Sequence, residues 1–212
     1  MCSSDLMYPI PDKHIKSYVN RITEGFDETQ FADFQNRPYS YSAKIKSAID
    51  EMTKLHTKQQ FARDVQFDKI VVKPNYKFVK EINPLYVIDG LPKTLYEKEG
   101  KINDTEWTMI NQLASLDNVL FWTRNNDRTG FCLNGFINHY PDFIVITKSG
   151  KVLLIETKGD FLDGSDSASK IKLGQLWESK AGNNYRYFMI YKNKNVEGAI
   201  KLDDFLQRVK SL

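Results

Sequence analysis

Two uninterrupted apolar runs, residues 143–146 (Phe-Ile-Val-Ile) and 152–155 (Val-Leu-Leu-Ile), are separated only by a short polar segment containing Lys148-Ser149-Gly150. Consecutive apolar residues put side chains on both faces of a strand, so strands over 143–147 and 152–157 are expected at the centre of a covered sheet. Strand interiors reject charge. Yet Asp142 precedes the first run, and Glu156 and Lys158 close the second. All three charges therefore gather at one end of the expected hairpin.

The turn decides whether they meet. Lys148-Ser149-Gly150 fits a three-residue loop in which Gly150 supplies the left-handed residue. That loop pairs Thr147 with Lys151, and counting outward pairs Asp142 with Glu156. Opposed residues share a face with Cβ atoms about 5 Å apart, and Lys158, two residues beyond Glu156, shares it too. A two-residue loop would send the two acids to opposite faces.

Two carboxylates so close repel unless a cation lies between them. All-oxygen ligands suit a hard divalent ion such as Mg²⁺ that keeps several waters. Such an ion polarises a phosphoryl oxygen and generates a nucleophile at neutral pH. Lys158 is then placed to orient the attacking water or hold a phosphate oxygen. The chemistry expected of Asp142, Glu156 and Lys158 is phosphodiester hydrolysis.

The rest of the chain is read around that centre. Residues 1–7 lack periodicity and read as an artefactual or disordered start on a naturally longer chain. A helix is expected over 41–62, where Ile45, Ala48, Ile49, Met52 and Leu55 recur at helical spacing, with Lys44, Lys46, Lys54 and Lys58 on a solvated face. Strands are expected over 69–73 and 76–82. Residues 89–100 read as a connection and a boundary, so that 8–100 form an appendage of helix and strand and 101–212 form the main domain.

Within 101–212 the order sharpens. A helix marked by Trp107, Ile110, Leu113, Ala114 and Leu116 starts at an Asn103 or Asp104 cap. A short strand over 118–122 leads into a loop over 123–130 that carries Arg124 and Arg128. After the hairpin come a helix over 167–180, a strand over 186–191 and a helix over 202–209. The fold class is α/β, an α-β-β-β-α-β core with a mixed central sheet flanked by helices.

Composition excludes some classes. No apolar run spans a bilayer and no secretory signal is present. Two cysteines, Cys2 and Cys132, make no disulfide framework or zinc-ligand spacing, which fits reduced thiols in a cytoplasmic protein. A net charge of +3 tolerates a nucleic-acid partner without arguing for one.

Pro141-Asp142, then Glu156-Thr157-Lys158 after a two-strand hairpin, resembles the PD-(D/E)xK nuclease superfamily, whose restriction-endonuclease-like core has the same element order. Leu95-Tyr96-Glu97-Lys98, Tyr140-Pro141-Asp142-Phe143, Glu156-Thr157-Lys158-Gly159-Asp160 and Lys172-Leu173-Gly174-Gln175-Leu176-Trp177 resemble, over residues 93–195, the C-terminal nuclease region of type III restriction enzyme helicase subunits and related DEAD/DEAH-type proteins. The resemblance implies Mg²⁺-dependent cleavage of double-stranded DNA by a module that works with a helicase/ATPase region and a methyltransferase subunit. ATP would act only through the motor, whose G-x-x-x-x-G-K-[ST] signature does not occur in this chain. Residues 8–100 would then be a connector from the helicase region.

Supporting residues are weighed one at a time. Glu106 fits a capping box with Asn103, and by resemblance a first-helix carboxylate of the metal site. Gln175 matches a position where the superfamily places a polar residue facing the site. Arg124, Arg128 and Lys170 could touch a DNA backbone, although Lys170 and Lys172 read more simply as solvated. Asp160, Asp163 and Asp166 read as turn chemistry, His139 as structural, and Trp107, Trp122 and Trp177 as core aromatics. The rival expectations are a repair or junction-resolving nuclease of the same fold, and a non-catalytic DNA-binding or assembly domain.

Overall fold

The computed structural model describes residues 11–160 and 165–212. Residues 1–7 and Asp163 therefore lie outside the described residues. The chain divides into two compact units, one ending at Ile70 and one running from Val71 to Leu212.

The first unit holds helices α1 (Asp12–Thr23), α2 (Glu28–Asn36) and α3 (Pro38–Gln66). Asp27 and Gln30 form a reciprocal capping box that starts α2. Phe26, Phe34 and Tyr41 stack edge-on between α2 and α3, and Asp33 holds both Arg37 and Tyr41. Helix α3 is longer than the expected 41–62, and Lys44, Lys46, Lys54 and Lys58 are exposed as expected. Its apolar stripe builds no core: none of its residues is buried, and Met52 and Leu55 are exposed.

The second unit begins with a correction. Residues 71–82 join no ladder, so the expected strands over 69–73 and 76–82 are not formed. Even-numbered residues from 72 to 78 are half-buried and odd-numbered ones exposed. The Tyr76 ring packs on Phe131 and the Phe78 ring on Phe121, while Tyr185 and Tyr96 donate to Asn75 and to the Val79 carbonyl. Period-two burial arises here from side chains lying on a surface, with no partner strand. These contacts also make the compact unit start at Val71, earlier than the boundary expected at 89–100. That connection ends in β2 (Glu99–Gly100), which pairs with β1 (Val87–Ile88) just before it, and its Thr94 bridges to Trp122.

The remaining elements follow closely the expected order. Helix α4 (Asp104–Ala114) leads into β3 (Val119–Arg124), a small hairpin of β4 (Leu133–Asn134) and β5 (Asn138–His139), then β6 (Phe143–Thr147) and β7 (Val152–Lys158). Helix α5 (Ser165–Ala181), β8 (Tyr185–Tyr191), β9 (Ile200–Lys201) and α6 (Leu202–Lys210) complete it. The sheet order is β3-β6-β7-β8-β9, antiparallel as far as β7 and parallel beyond it. This is a mixed α/β architecture.

Both faces of the central strands are covered, as the apolar runs require. Phe143, Val145, Leu153 and Ile155 join Met109, Ile110 and Leu113 of α4 and Leu202, Phe205 and Val209 of α6 in one core. On the other face Ile144, Leu154 and Tyr187 are buried with Ile171, Leu173 and Trp177 of α5. Gly174 lets α5 lie directly on the Tyr187 ring, which any Cβ at that position would strike. Trp122 and Trp177 are core aromatics, but Trp107, at the border of the buried stripe of α4, is 41% exposed. No described helix is long and apolar enough to cross a membrane, and Cys132, outside any disulfide, donates to Asn134 Oδ1 at 2.7 Å.

Candidate active site

The hairpin between β6 and β7 closes as the turn chemistry requires. Gly150 sits at φ +80°, the Thr147 amide donates to the Lys151 carbonyl at 2.9 Å, and the Gly150 amide to the Thr147 carbonyl at 3.0 Å. Phe143 pairs with Ile155, and one further step outward sets Asp142 opposite Glu156. Nothing lies within 4 Å of a Cβ built at Gly150, so Gly150→Ala pays only for its left-handed backbone. The expected loss is about 1–2 kcal/mol in urea unfolding, with an unchanged near-ultraviolet circular dichroism spectrum.

Asp142 is fixed from one side. Its Oδ2 accepts from the Thr157 amide at 2.7 Å and the Thr157 hydroxyl at 2.9 Å, leaving Oδ1 toward the cleft. Burial, then the negative charge of Glu156, push its carboxyl above the ordinary aspartate range, while Thr157 and Arg124 pull the other way.

Glu156 is buried, and its Oε1 meets two ammonium groups, Lys158 Nζ and Lys170 Nζ, each at 3.1 Å. Lys170 also reaches Asp166 one turn earlier in α5. Lys170 therefore belongs to the site, and its reading as a solvated lysine is corrected. Ser167, Ile171, Gly174 and Trp177 form the buried stripe of α5, and Lys170 falls inside it at i+3 from Ser167 and i−4 from Gly174.

Glu106 has two roles at once. Its Oε2 accepts from the Asn103 amide at 2.7 Å, and Asn103 Oδ1 accepts in return from the Glu106 amide, completing the capping box. Its Oε1 lies 2.7 Å from Arg124 Nη1. Arg124 Nη2 stands 3.8 Å from Asp142 Oδ1, and the guanidinium lies over the Phe143 ring. The expected loop start at 123 is thus corrected. Strand β3 runs two residues further, through Thr123 and Arg124, and carries Arg124 into the cleft instead of out to solvent.

Two neighbours hold this rim. Asn125 donates to the Phe131 and Pro141 carbonyls and accepts from the Phe131 amide, tying the loop after β3 to the entry of β6. His139 is buried with its Nε2 2.9 Å from the Tyr187 hydroxyl. Burial, reinforced by Lys170 and Lys158, lowers its pKa to about 3, so it stays neutral in the cleft wall. Neither Asn125 nor Tyr187 carries a sequence signal that marks it.

Other expected residues are elsewhere. Gln175 is exposed on α5 and donates at 3.4 Å to the Gly198 carbonyl, because a step of five residues from Lys170 turns it well away from the site. Arg128 is exposed at φ +65° in the loop and does not line the cleft. Asp160 caps the turn after β8 through Asn193 and Lys194, the turn chemistry expected of it. Lys172 is exposed.

Glu99 of β2, buried behind Arg124, accepts from the Arg124 amide at 3.0 Å and the Thr123 hydroxyl at 3.2 Å. Burial raises its pKa from 4.5 to about 7. An acid whose folded pKa is raised stabilises nothing at neutral pH. Stability is full below the unfolded value and falls as pH rises through 4.5 toward about 7. Glu99→Gln is therefore expected to flatten that fall, leaving the variant about 3 kcal/mol more stable than the parent at pH 8 and nearly equal at pH 4.5 in urea titrations.

Lys101, Arg124, Asp142, Glu156, Lys158 and Lys170 line an open polar cleft of about 530 Å³. Among the described residues no group of three or more His, Cys, Asp or Glu side chains is assembled to hold a metal ion. The available donors are the oxygens of Asp142 and Glu156, with Glu106 tied to Arg124. A pair of carboxylates completed by waters fits a small hard cation such as Mg²⁺ and suits soft or nitrogen-seeking metals poorly. Compared with protein-family models, curated proteins and solved structures, the chain gives no match, so the site is read from its own chemistry.

Proposed function

We propose that this chain is a Mg²⁺-dependent endonuclease module that hydrolyses phosphodiester bonds of double-stranded DNA, of the PD-(D/E)xK kind. The observation that carries the reading is that Asp142, bonded to the Thr157 amide, and Glu156, 3.1 Å from Lys158, stand at the same end of the Gly150 hairpin. Lys101, Arg124, Lys158 and Lys170 in the cleft lining supply cations that a phosphate backbone could engage.

Asp142 and Glu156 would hold the ion, which when bound supplies Lewis-acid polarisation of a phosphoryl oxygen and nucleophile activation at neutral pH. Thr157 orients Asp142 by two hydrogen bonds. Lys158, 3.1 Å from Glu156 at the cleft wall, would donate to the attacked phosphate or orient the attacking water. Hydrolysis then forms one phosphorus–oxygen bond from water and breaks the ester bond, whose oxygen leaves with a proton. As the cleavage region of a type III-like restriction enzyme, the module would act with an ATP-driven helicase region and a methyltransferase subunit.

One observation favours a second reading. Arg124, Lys158 and Lys170 already neutralise the carboxylates, as in a non-catalytic DNA-binding domain. Incubating the chain with linear duplex and with four-way-junction DNA, in Mg²⁺ or Mn²⁺ and then in chelator, separates the possibilities. Chelator-sensitive cutting of linear duplex is expected. Preference for the junction reassigns the module to repair, and binding of DNA without cutting in either metal removes the nuclease reading.

A further inference from the structure

Asp142 Oδ2 is committed to Thr157, so Oδ1 is the oxygen left for an ion, and it is the one that the Arg124 guanidinium faces. We infer that Arg124 is an internal stand-in for the divalent cation: loading the ion displaces the guanidinium from Asp142, and a phosphate group entering the cleft receives it. The inference rests on Asp142 and Glu156 being the cation site, and adds how that site is filled and emptied.

The geometry allows the exchange. The contact to Asp142 is long, at 3.8 Å, whereas that to Glu106 is short, at 2.7 Å. The planar group lies on the Phe143 ring, with the centroid 5.1 Å away, a face along which a guanidinium moves without losing its cation–π contact. Glu106 caps α4 through Oε2, not through the oxygen that meets Arg124, so the helix start survives the movement. The Arg124 side chain is 21% exposed and lines the cleft, where an incoming ligand meets it.

Charge then couples the two ligands. A divalent ion at Asp142 Oδ1 repels a guanidinium a few ångströms away, and this lowers the ion's apparent affinity. A phosphate that takes over the guanidinium cancels the repulsion. Metal and phosphate therefore help each other bind, and by linkage the help is equal in both directions. In the absence of phosphate the chain's own arginine keeps the carboxylates neutralised.

The test is calorimetric titration of the full chain with Mg²⁺ at constant ionic strength, with and without thymidine 5′-monophosphate, in the parent, Arg124→Met and Arg124→Lys. Arg124→Met keeps the apolar contact with Phe143 and removes the charge. It is expected to bind Mg²⁺ about tenfold or more tightly than the parent without nucleotide. Arg124→Lys is expected to stay within about threefold of the parent because it retains the charge. The nucleotide is expected to tighten Mg²⁺ binding in the parent and to do so much less in Arg124→Met.

A gain in affinity is something a misfolded variant does not produce. If the parent binds Mg²⁺ and Arg124→Met binds it no more tightly, or the nucleotide helps both equally, the stand-in role is overturned while the cation site stands. If neither protein binds Mg²⁺, the role falls together with the nuclease reading.

Discussion

Replacing Asp142 by asparagine or Glu156 by glutamine is expected to lower metal-dependent cleavage of duplex DNA by about a thousandfold or more, with circular dichroism unchanged. The amide variants are chosen because each keeps the shape of its carboxylate. In Asp142→Asn the side-chain carbonyl can still accept from the Thr157 amide and hydroxyl, the two bonds that fix Asp142, whereas alanine would leave that half-buried amide without its side-chain partner. What both variants remove is charge, and a hard divalent ion held by two carboxylates depends on it. Lys158→Ala is expected to cost about a hundred- to a thousandfold, the usual loss when one donor to developing charge is removed. Initial rates of plasmid linearisation against Mg²⁺ concentration measure all three. Cleavage within tenfold of the parent in Asp142→Asn and in Glu156→Gln would show that the cutting chemistry lies elsewhere.

The second large effect concerns stability. Glu156 is 3% exposed and places one oxygen against two ammonium groups. With either lysine gone, the other remains to compensate it. Lys158→Met or Lys170→Met alone is therefore expected to cost about 1 kcal/mol or less. With both gone, a buried carboxylate is left without a partner, and the double variant is expected to lose about 3–5 kcal/mol. The two changes are thus strongly non-additive in a double-mutant cycle. Adding Glu156→Gln to the double variant should recover most of the loss, because the stranded charge is gone. Additive losses in urea unfolding, with no recovery on adding Glu156→Gln, would mean that the two lysines do not share Glu156.

Much of the hairpin was legible because few physical constraints act there and all agree. Apolar runs 143–146 and 152–155 demanded central strands, and Gly150 left one economical turn. The observed register follows from those two facts. The start of α4 was legible for the same reason, since Asn103 and Glu106 stand at capping-box spacing.

The failures also have identifiable causes. Alternation over residues 72–78 reports a segment with one face covered, and sequence cannot distinguish a covered segment from a paired one. Lys170 was hidden because lysine on a helix is usually solvated, although its neighbours at i−3 and i+4 are buried. Arg124 was hidden because the ladder to Phe143 carries β3 past the apparent end of its apolar run. Gln175 shows the opposite error: a position matched by resemblance lies on the wrong face of its own helix. The elements that were misread are those whose environment is set by distant segments.

The most direct test of the site is whether its carboxylate pair binds a hard cation at all. Calorimetric titration of the parent with Ca²⁺ or Mg²⁺ is expected to give saturable binding that is lost in Asp142→Asn and in Glu156→Gln. No heat above dilution in the parent, or undiminished binding in both variants, would contradict it.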